Sequence, residues 1–260
     1  MKTLKIALAA AALLLGAGAA QAETLKIGVS AGPYAEILEF AGKIYKEKEG
    51  IDLKVIEFSD YTLPNAALAQ GDIDVNNFQH KPYLDNQIKN RGFTLTAVEK
   101  SIIVPLGLYS KKVTALTEVK DGALVAIPND PSNGSRALLL LQQAGLIKVD
   151  PAKGIAATLA DIVENPKKLK FREIDAAQLP RSLDDVDVSA ITLNYAVSGG
   201  LEPKKALLLE DINTPWNLWF VAQTAHKDDP KILKYIAIYR SPEVKAFIAK
   251  RFDGTILPTW

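Results

Sequence analysis

The sequence alternates short apolar runs, typical of buried strands, with longer segments whose apolar residues recur at helical spacing. It opens with a strand at Leu25–Val29, a helix that Gly50 closes, and a second strand at Ile51–Phe58. A β-α-β unit of this kind implies two parallel strands joined by a right-handed crossover. Because the alternation continues along the chain, we expect an α/β fold that binds ligands beyond the carboxyl ends of its strands.

The N-terminal segment reads as a targeting sequence. Met1–Lys5 is basic, Ile6–Leu15 is wholly apolar, and Ala20–Ala22 has the small-x-small pattern of a cleavage site. The apolar run is too short to span a bilayer as a permanent helix. We therefore predict a signal peptide over residues 1–22, cleaved after Ala22, and an exported product; a buried helix is the alternative.

Charge and residue usage exclude several classes of function. The 31 basic and 30 acidic residues give a net charge of +1, which argues against nucleic acid as a partner, because phosphate binding needs a basic surplus or patch. The sequence has no cysteine, which excludes disulfides and thiolate metal sites and leaves no lipobox cysteine to acylate. The two histidines, His80 and His226, leave little for a histidine metal site or a Ser-His-Asp triad. We therefore expect no metal, no cofactor and no lipid anchor.

No long linker interrupts the alternation, so a chain with two domains must cross between them on strands. The candidates are Ile102–Tyr109 on the way out and Leu218–Val221 on the way back. We predict domain I over residues 23–108 and 218–260, and domain II over residues 109–217. A short helix is predicted at Thr158–Glu164, and two amphipathic helices, at Pro230–Tyr239 and Pro242–Arg251, precede the C-terminal tail.

The stretch Val125–Gly145 has the pattern strand, loop, helix, with Ser132 or Asn133 as the predicted N-cap and Gly145 at the end. This places Arg136 in the first helical turn. A helix N-terminus attracts anions, so an arginine there fits best if a carboxylate or phosphate binds and forms a bidentate pair with it. A solvated arginine, or one paired with a structural aspartate, is the alternative.

Aromatic side chains cluster where two neighbouring strands end. Phe78, His80 and Tyr83 span the end of one strand and the start of a helix, and Tyr61 follows the strand before it. Rings at these positions could wall a pocket for an apolar or thioether side chain. Alternatively, Phe78 and Tyr83 belong to the core and His80 is a structural histidine.

Two further segments carry candidate binding residues. Asn194 follows a predicted strand and could pair with an ammonium or a carboxylate, or simply cap a helix. Trp216 and Asn217, in the segment TPWNLWF, could line a cleft or pack at a hinge.

Enzyme motifs are missing where a strand-turn-helix would need them. The sequence has no GxSxG, HExxH, Walker A or GxGxxG motif in such a context. Its carboxylate pairs, such as Asp72/Asp74, sit in a pattern typical of solvated surface acids. We therefore expect a protein that is not an enzyme.

Four segments resemble the NlpA/MetQ family, the substrate-binding proteins of methionine ABC importers: YTLPNAALAQGDIDVNNFQHKPYLD, VPLGLYSKKV, VAIPNDPSNGSRALLLLQ and DIVENPKKLKF. The similarity extends over residues 23–260. The resemblance implies a two-lobed, type II-like periplasmic-binding fold that closes around one ligand in the interdomain cleft. It also implies a monomer that delivers L-methionine or a related amino acid to an inner-membrane permease and its ATPase.

The resemblance also assigns roles to residues of the predicted site. It implies that Arg136 holds the ligand's carboxylate, with Asn133 in the same loop. It further implies an aromatic wall of Tyr61, Phe78, His80 and Tyr83, with Asn194 among the polar groups.

The sequence departs from the family pattern at several positions. Family members are commonly lipoproteins, whereas this chain has no cysteine to acylate, so we expect it to be soluble in the periplasm. Ser135 stands where glycine is common, Thr192 replaces an asparagine, and Leu218 stands where a ligand-binding asparagine is expected. The alternative function is therefore the same fold and role with another amino acid, a derivative or a short peptide as ligand. A periplasmic enzyme on this scaffold is a more remote alternative.

Overall fold

A computed structural model describes residues 23–211 and 215–260, so the predicted signal peptide and Thr214 lie outside the described residues. The strands are β1 Thr24–Ser30, β2 Asp52–Phe58, β3 Val75–His80, β4 Leu95–Lys100, β5 Ile102–Ile103, β6 Leu106–Tyr109, β7 Leu124–Pro128, β8 Lys148–Val149, β9 Ile162–Glu164, β10 Lys170–Ile174, β11 Val188–Thr192, β12 Leu208–Leu209, β13 Leu218–Gln223 and β14 Leu257–Pro258. The α-helices are α1 Tyr34–Glu49, α2 Leu63–Gln70, α3 Lys81–Arg91, α4 Pro131–Gln143, α5 Leu179–Ser182, α6 Leu193–Ser198, α7 Pro230–Tyr239 and α8 Pro242–Phe252.

The first lobe is built on a five-stranded sheet with the order β2-β1-β3-β13-β4. Strand β1 runs parallel to β2 and β3, and β13 runs antiparallel to β3 and β4. Helices α1, α7 and α8 share a core on this sheet, where the fully buried rings of Tyr45 and Tyr235 meet edge to face at 5.5 Å. A second cluster, which includes Leu68 of α2 and Leu84 of α3, contains Val221 of β13.

The second lobe repeats this design with the strand order β10-β7-β11-β6-β12. Strands β10, β7 and β11 are parallel, and β6 runs antiparallel to β11 and β12. Leu138 and Leu141 of α4 pack in one core, and Leu179 of α5 and Tyr195 of α6 pack in another. The prediction of an α/β fold with two lobes is confirmed.

The chain passes between the two sheets at two places. It leaves the first at Val104–Pro105, between β5 and β6, and returns after β12 at the start of β13. Strand β6 belongs to the second sheet and spans the proposed boundary after residue 108, so the division into domains at 108/109 and 217/218 remains a proposal. Within residues 23–211 and 215–260, no helix combines the length and the apolar character that a membrane crossing requires.

Local structure corrects two sequence-based predictions. Helix α4 begins at Pro131 and is capped by Asp130, which accepts from the Asn133 amide, because an aspartate before a proline at N1 is a strong helix start. Neither Ser132 nor Asn133 is the cap, and Arg136 lies one turn deeper than predicted. The predicted helix at 158–164 is also wrong: a single 3-10 turn at 159–161 leads into β9, which pairs with β8.

Candidate functional site

A cavity with about 310 Å³ of empty space, part of it open to solvent, lies between the two lobes. Its walls come mainly from residues that follow the carboxyl ends of β1, β2, β3, β7 and β11, where ligands of open α/β sheets bind. The twelve lining residues are Tyr34, Tyr61, Phe78, Gln79, His80, Tyr83, Val104, Asn133, Arg136, Thr192, Asn194 and Leu218. Eight of the ten predicted site residues are therefore brought together in one place.

Three aromatic rings form one wall of the cavity. The Tyr61, Phe78 and Tyr83 centroids lie 5.9 to 6.0 Å apart in tilted or edge-to-face arrangements, as aromatic pairs prefer. The Tyr83 hydroxyl donates to the Tyr61 carbonyl oxygen at 2.8 Å, which fixes the loop after β2 against α3. The rings are therefore held in place within the first lobe.

His80 links the first lobe to the second through a chain of hydrogen bonds. As the N-cap of α3, it accepts the Tyr83 amide proton at Nδ1, over 3.1 Å. The proton of the neutral ring is therefore on Nε2, which donates to Asn133 Oδ1 at 3.0 Å. Asn133 Nδ2 in turn donates to Asp130 Oδ2 at 3.0 Å. Burial, reinforced by the nearby charge of Arg136, lowers the pKa of His80 to about 3, so the ring is neutral at physiological pH.

Tyr61 makes the second set of contacts across the cleft. Its hydroxyl donates to Asn194 Oδ1 at 2.6 Å, so the 2.8 Å contact with Thr192 Oγ1 has threonine as the donor. Asn194 Nδ2 donates to the Ala31 carbonyl oxygen at 3.2 Å. Both the oxygen and the nitrogen of the Asn194 side-chain amide are therefore hydrogen-bonded to the first lobe. Burial raises the pKa of Tyr61, which remains a neutral phenol.

Arg136 lies in the second lobe and is 2% exposed. Its Nε donates to both carboxylate oxygens of Glu210, at 3.0 and 2.9 Å, and its Nη2 also pairs with Glu210. Nη2 further donates to the Val104 carbonyl oxygen at 2.7 Å. Because the partner is a glutamate from the segment after β12, the alternative of a structural aspartate does not describe this contact.

The structure places Trp216 and Asn217 outside the cavity wall. Trp216 is buried behind it, with its ring 4.9 Å from the His80 ring and 5.4 Å from the Arg136 guanidinium carbon. Asn217 is half-buried and is not among the lining residues. Their direct role in binding stays a prediction, and the packing of Trp216 agrees with the alternative of a hinge residue.

Sequence reasoning missed several residues of the site. Tyr34 directly follows the loop after β1, and the rule that ligands bind beyond strand ends could have identified it. Gln79 belongs to a buried amide cluster, in which its side chain and that of Asn65 exchange hydrogen bonds of 2.8 and 2.6 Å. Glu210 follows an apolar run, and nothing in its local pattern indicates that it meets Arg136.

Comparison with known proteins identifies close relatives. The model of the family described as NlpA lipoprotein matches residues 25–260. The chain is 46% identical over 239 residues to the "D-methionine-binding lipoprotein MetQ" of Salmonella typhimurium, covering 91% of this chain and 88% of the relative.

Solved structures agree with this result. A nutrient binding protein from Burkholderia cenocepacia bound to methionine matches with a TM-score of 0.87 and 48% identity, covering 91% of this chain and all of the other (100%). An ABC transporter, periplasmic substrate-binding protein from Coxiella burnetii, matches with a TM-score of 0.86 and 44% identity, covering 90% and 100% of the two chains. These relatives are binding proteins rather than enzymes.

The comparison corrects the predicted location. The sequence predicted a soluble periplasmic protein without a lipid anchor, because it contains no cysteine. The Salmonella relative and others are named as lipoproteins, a class of proteins held at membranes by attached lipid. The prediction of a soluble, unanchored protein is therefore wrong. It rested on the absence of cysteine alone, whereas the relatives are named as lipoproteins.

Proposed function

The chain belongs to the NlpA lipoprotein family, as its motifs indicated, and from this premise we propose that it is the substrate-binding protein of an ABC importer and binds methionine. The observation that carries the proposal is the cavity between the lobes. It joins a buried arginine to a wall of aromatic rings. These two features suit the carboxylate and the thioether side chain of a free amino acid such as methionine.

The proposed binding mode follows from the chemistry of the two ends of the cavity. The ligand carboxylate would meet Arg136, and the thioether would lie against the rings of Tyr61, Phe78 and Tyr83, where sulfur–aromatic contacts are favourable. The two ends of the cavity therefore suit a single amino acid, which presents one carboxylate and one side chain.

Partners and assembly follow from the same proposal. The protein would act as a monomer, hand its ligand to a membrane permease driven by an ATPase, and catalyse no reaction itself. Domain I (residues 23–108 and 218–260) and domain II (residues 109–217) would close on the ligand as two bodies. Closure requires that the ligand bind the closed state more tightly than the open one.

A ligand panel tests the function. The protein is unfolded to remove any bound ligand, refolded, and melted with L-methionine, D-methionine, other amino acids and short peptides. A ligand at about a hundred times its dissociation constant should add roughly 2.7 kcal/mol of stability, which is a readily measured shift. Both enantiomers are needed, since relatives are named for D-methionine whereas the sequence suggested the L form.

The outcomes of the panel separate the alternatives. A shift with either enantiomer supports the proposal and shows that Thr192 and Leu218 are tolerated at their positions. A shift with another compound, and none with methionine, would mean that the role is conserved and the ligand has changed. Turnover of a bound ligand would instead support an enzyme.

Gly32 provides a test of lobe closure. It has φ +136°, and a Cβ at this position would lie 2.9 Å from Asn194 Cβ and 3.1 Å from its Cα, in the opposite lobe. We expect Gly32→Ala to obstruct closure and weaken ligand affinity roughly tenfold or more, measured by calorimetry. Gly50→Ala is the control, because Gly50 also has positive φ (+70°) but a Cβ added there would meet no atom within 4 Å. Equal affinities of the two variants would contradict the closure argument.

A further inference from the structure

The charged groups around the cavity are unequally distributed. Arg136 is the single charged side chain among the twelve lining residues, since His80 is neutral. Glu210 lies directly behind Arg136, with its side chain 7% exposed. Together the two side chains form a buried pair of zero net charge at the cavity wall.

We propose that Glu210 is a specificity-determining residue, whose charge makes the cavity favour a zwitterionic amino acid over anionic analogues that lack the ammonium group. This inference rests on the proposed function, because it concerns the ligand of the same cavity. Glu210 does not itself line the cavity. It would select ligands by their net charge.

The geometry shows how Glu210 acts on Arg136. Glu210 takes the Nε and Nη2 side of the guanidinium group, and the Val104 carbonyl oxygen also binds Nη2. Glu210 is itself fixed by accepting the Leu106 amide proton at 3.2 Å. Within residues 23–211 and 215–260, Nη1 is the guanidinium nitrogen without a hydrogen-bond partner. A ligand carboxylate would therefore meet Nη1, while the bidentate Nε/Nη2 side stays occupied.

Charge balance then decides between ligands. A zwitterion adds no net charge to a neutral cavity, whereas a net anion leaves one buried charge without compensation, which is costly. Removing the charge of Glu210 would leave Arg136 alone, and the cavity would carry +1. A net anion would then neutralise the site, and a zwitterion would not. The preference between the two ligands should therefore move toward the anion.

The test compares methionine with its α-hydroxy analogue, in which a hydroxyl replaces the ammonium group. Both are titrated calorimetrically into the full protein and into Glu210→Gln, which keeps the shape of the side chain. We expect the wild-type protein to prefer methionine, and the ratio of the two affinities to fall roughly tenfold or more in Glu210→Gln. A purely structural role would weaken both ligands equally and leave the ratio unchanged, which would overturn the inference.

Two further variants keep the test decisive. Glu210→Asp retains the charge, so the ratio of its affinities for methionine and the α-hydroxy analogue should equal the wild-type ratio, even if both affinities fall. A lower ratio in this variant would also overturn the inference. Glu202→Gln removes an exposed carboxylate that pairs with Lys205 and should change neither affinity. Failure of the wild-type protein to bind methionine would refute methionine as the ligand of the proposed function, and this result is obtained before any variant is compared.

Discussion

Replacing Arg136 with methionine should destabilise the protein by about 3–5 kcal/mol and weaken ligand binding by roughly a hundredfold or more. The arginine is almost fully buried and paired with Glu210, and removing one partner of a buried ion pair leaves the other charge without compensation. Ligand binding weakens because the buried carboxylate of the ligand would have no cation with which to form an ion pair. Denaturant unfolding measures the first effect and calorimetry the second.

A double variant separates folding from binding in this experiment. Arg136→Met combined with Glu210→Gln leaves no unpaired charge, so we expect it to recover about half of the lost stability. It should still bind no ligand at micromolar concentration. If Arg136→Met retained micromolar affinity, Arg136 would not be the carboxylate-binding residue. If the double variant were no more stable than the single one, the uncompensated charge of Glu210 would not be the cause of the destabilisation.

The sequence was most informative where local order decides position. In an open α/β sheet the segments after parallel strands meet at one edge, so Tyr61 and His80 of the first lobe could be placed near each other from the order of strands and helices alone. Their side chains line one cavity. The bounds of α7 also matched the prediction, because the helical periodicity of its apolar residues is strong.

The sequence was least informative where distant segments meet. The pairing of Arg136 with Glu210 joins residues 74 positions apart, and no periodicity encodes it. The contacts of Tyr61 with Thr192 and Asn194 span more than 130 positions and depend on how the two lobes approach each other. Such contacts arise from tertiary packing, and they determine which nitrogen of Arg136 and which face of Asn194 remain available to a ligand.

His80 should make the stability of the protein depend on pH in a range where few other side chains titrate. Burial lowers the pKa of His80 from 6.5 to about 3, so between these values the unfolded chain binds a proton that the folded protein does not. The stability contributed by the neutral ring is fully present above pH 6.5 and is lost as pH falls toward 3. From pH 7.5 to 5 the loss should be about 2 kcal/mol, since each pKa unit corresponds to about 1.36 kcal/mol.

The contacts around His80 explain why the ring stays neutral. Protonation would place a proton on Nδ1, which accepts the Tyr83 amide proton, and would add a positive charge close to Arg136. The ring is enclosed by Trp216 and by Asn133, whose amide oxygen is a weaker partner for a cation than a carboxylate would be. Asp130, the nearest acid in this hydrogen-bond chain, is one residue further away.

Urea unfolding of His80→Asn between pH 7.5 and 5 tests this explanation. Asparagine is a favourable N-cap, so it can replace the cap of α3 but cannot take up a proton in this range. The variant should therefore lose most of the pH dependence of the free energy of unfolding, whatever its stability at pH 7.5. His226→Gln, at an exposed position, is the matched control and should keep the wild-type slope. An unchanged slope in His80→Asn would mean that His80 takes up its proton in the folded protein as readily as in the unfolded chain, and the Tyr83 amide would then lose its acceptor on Nδ1.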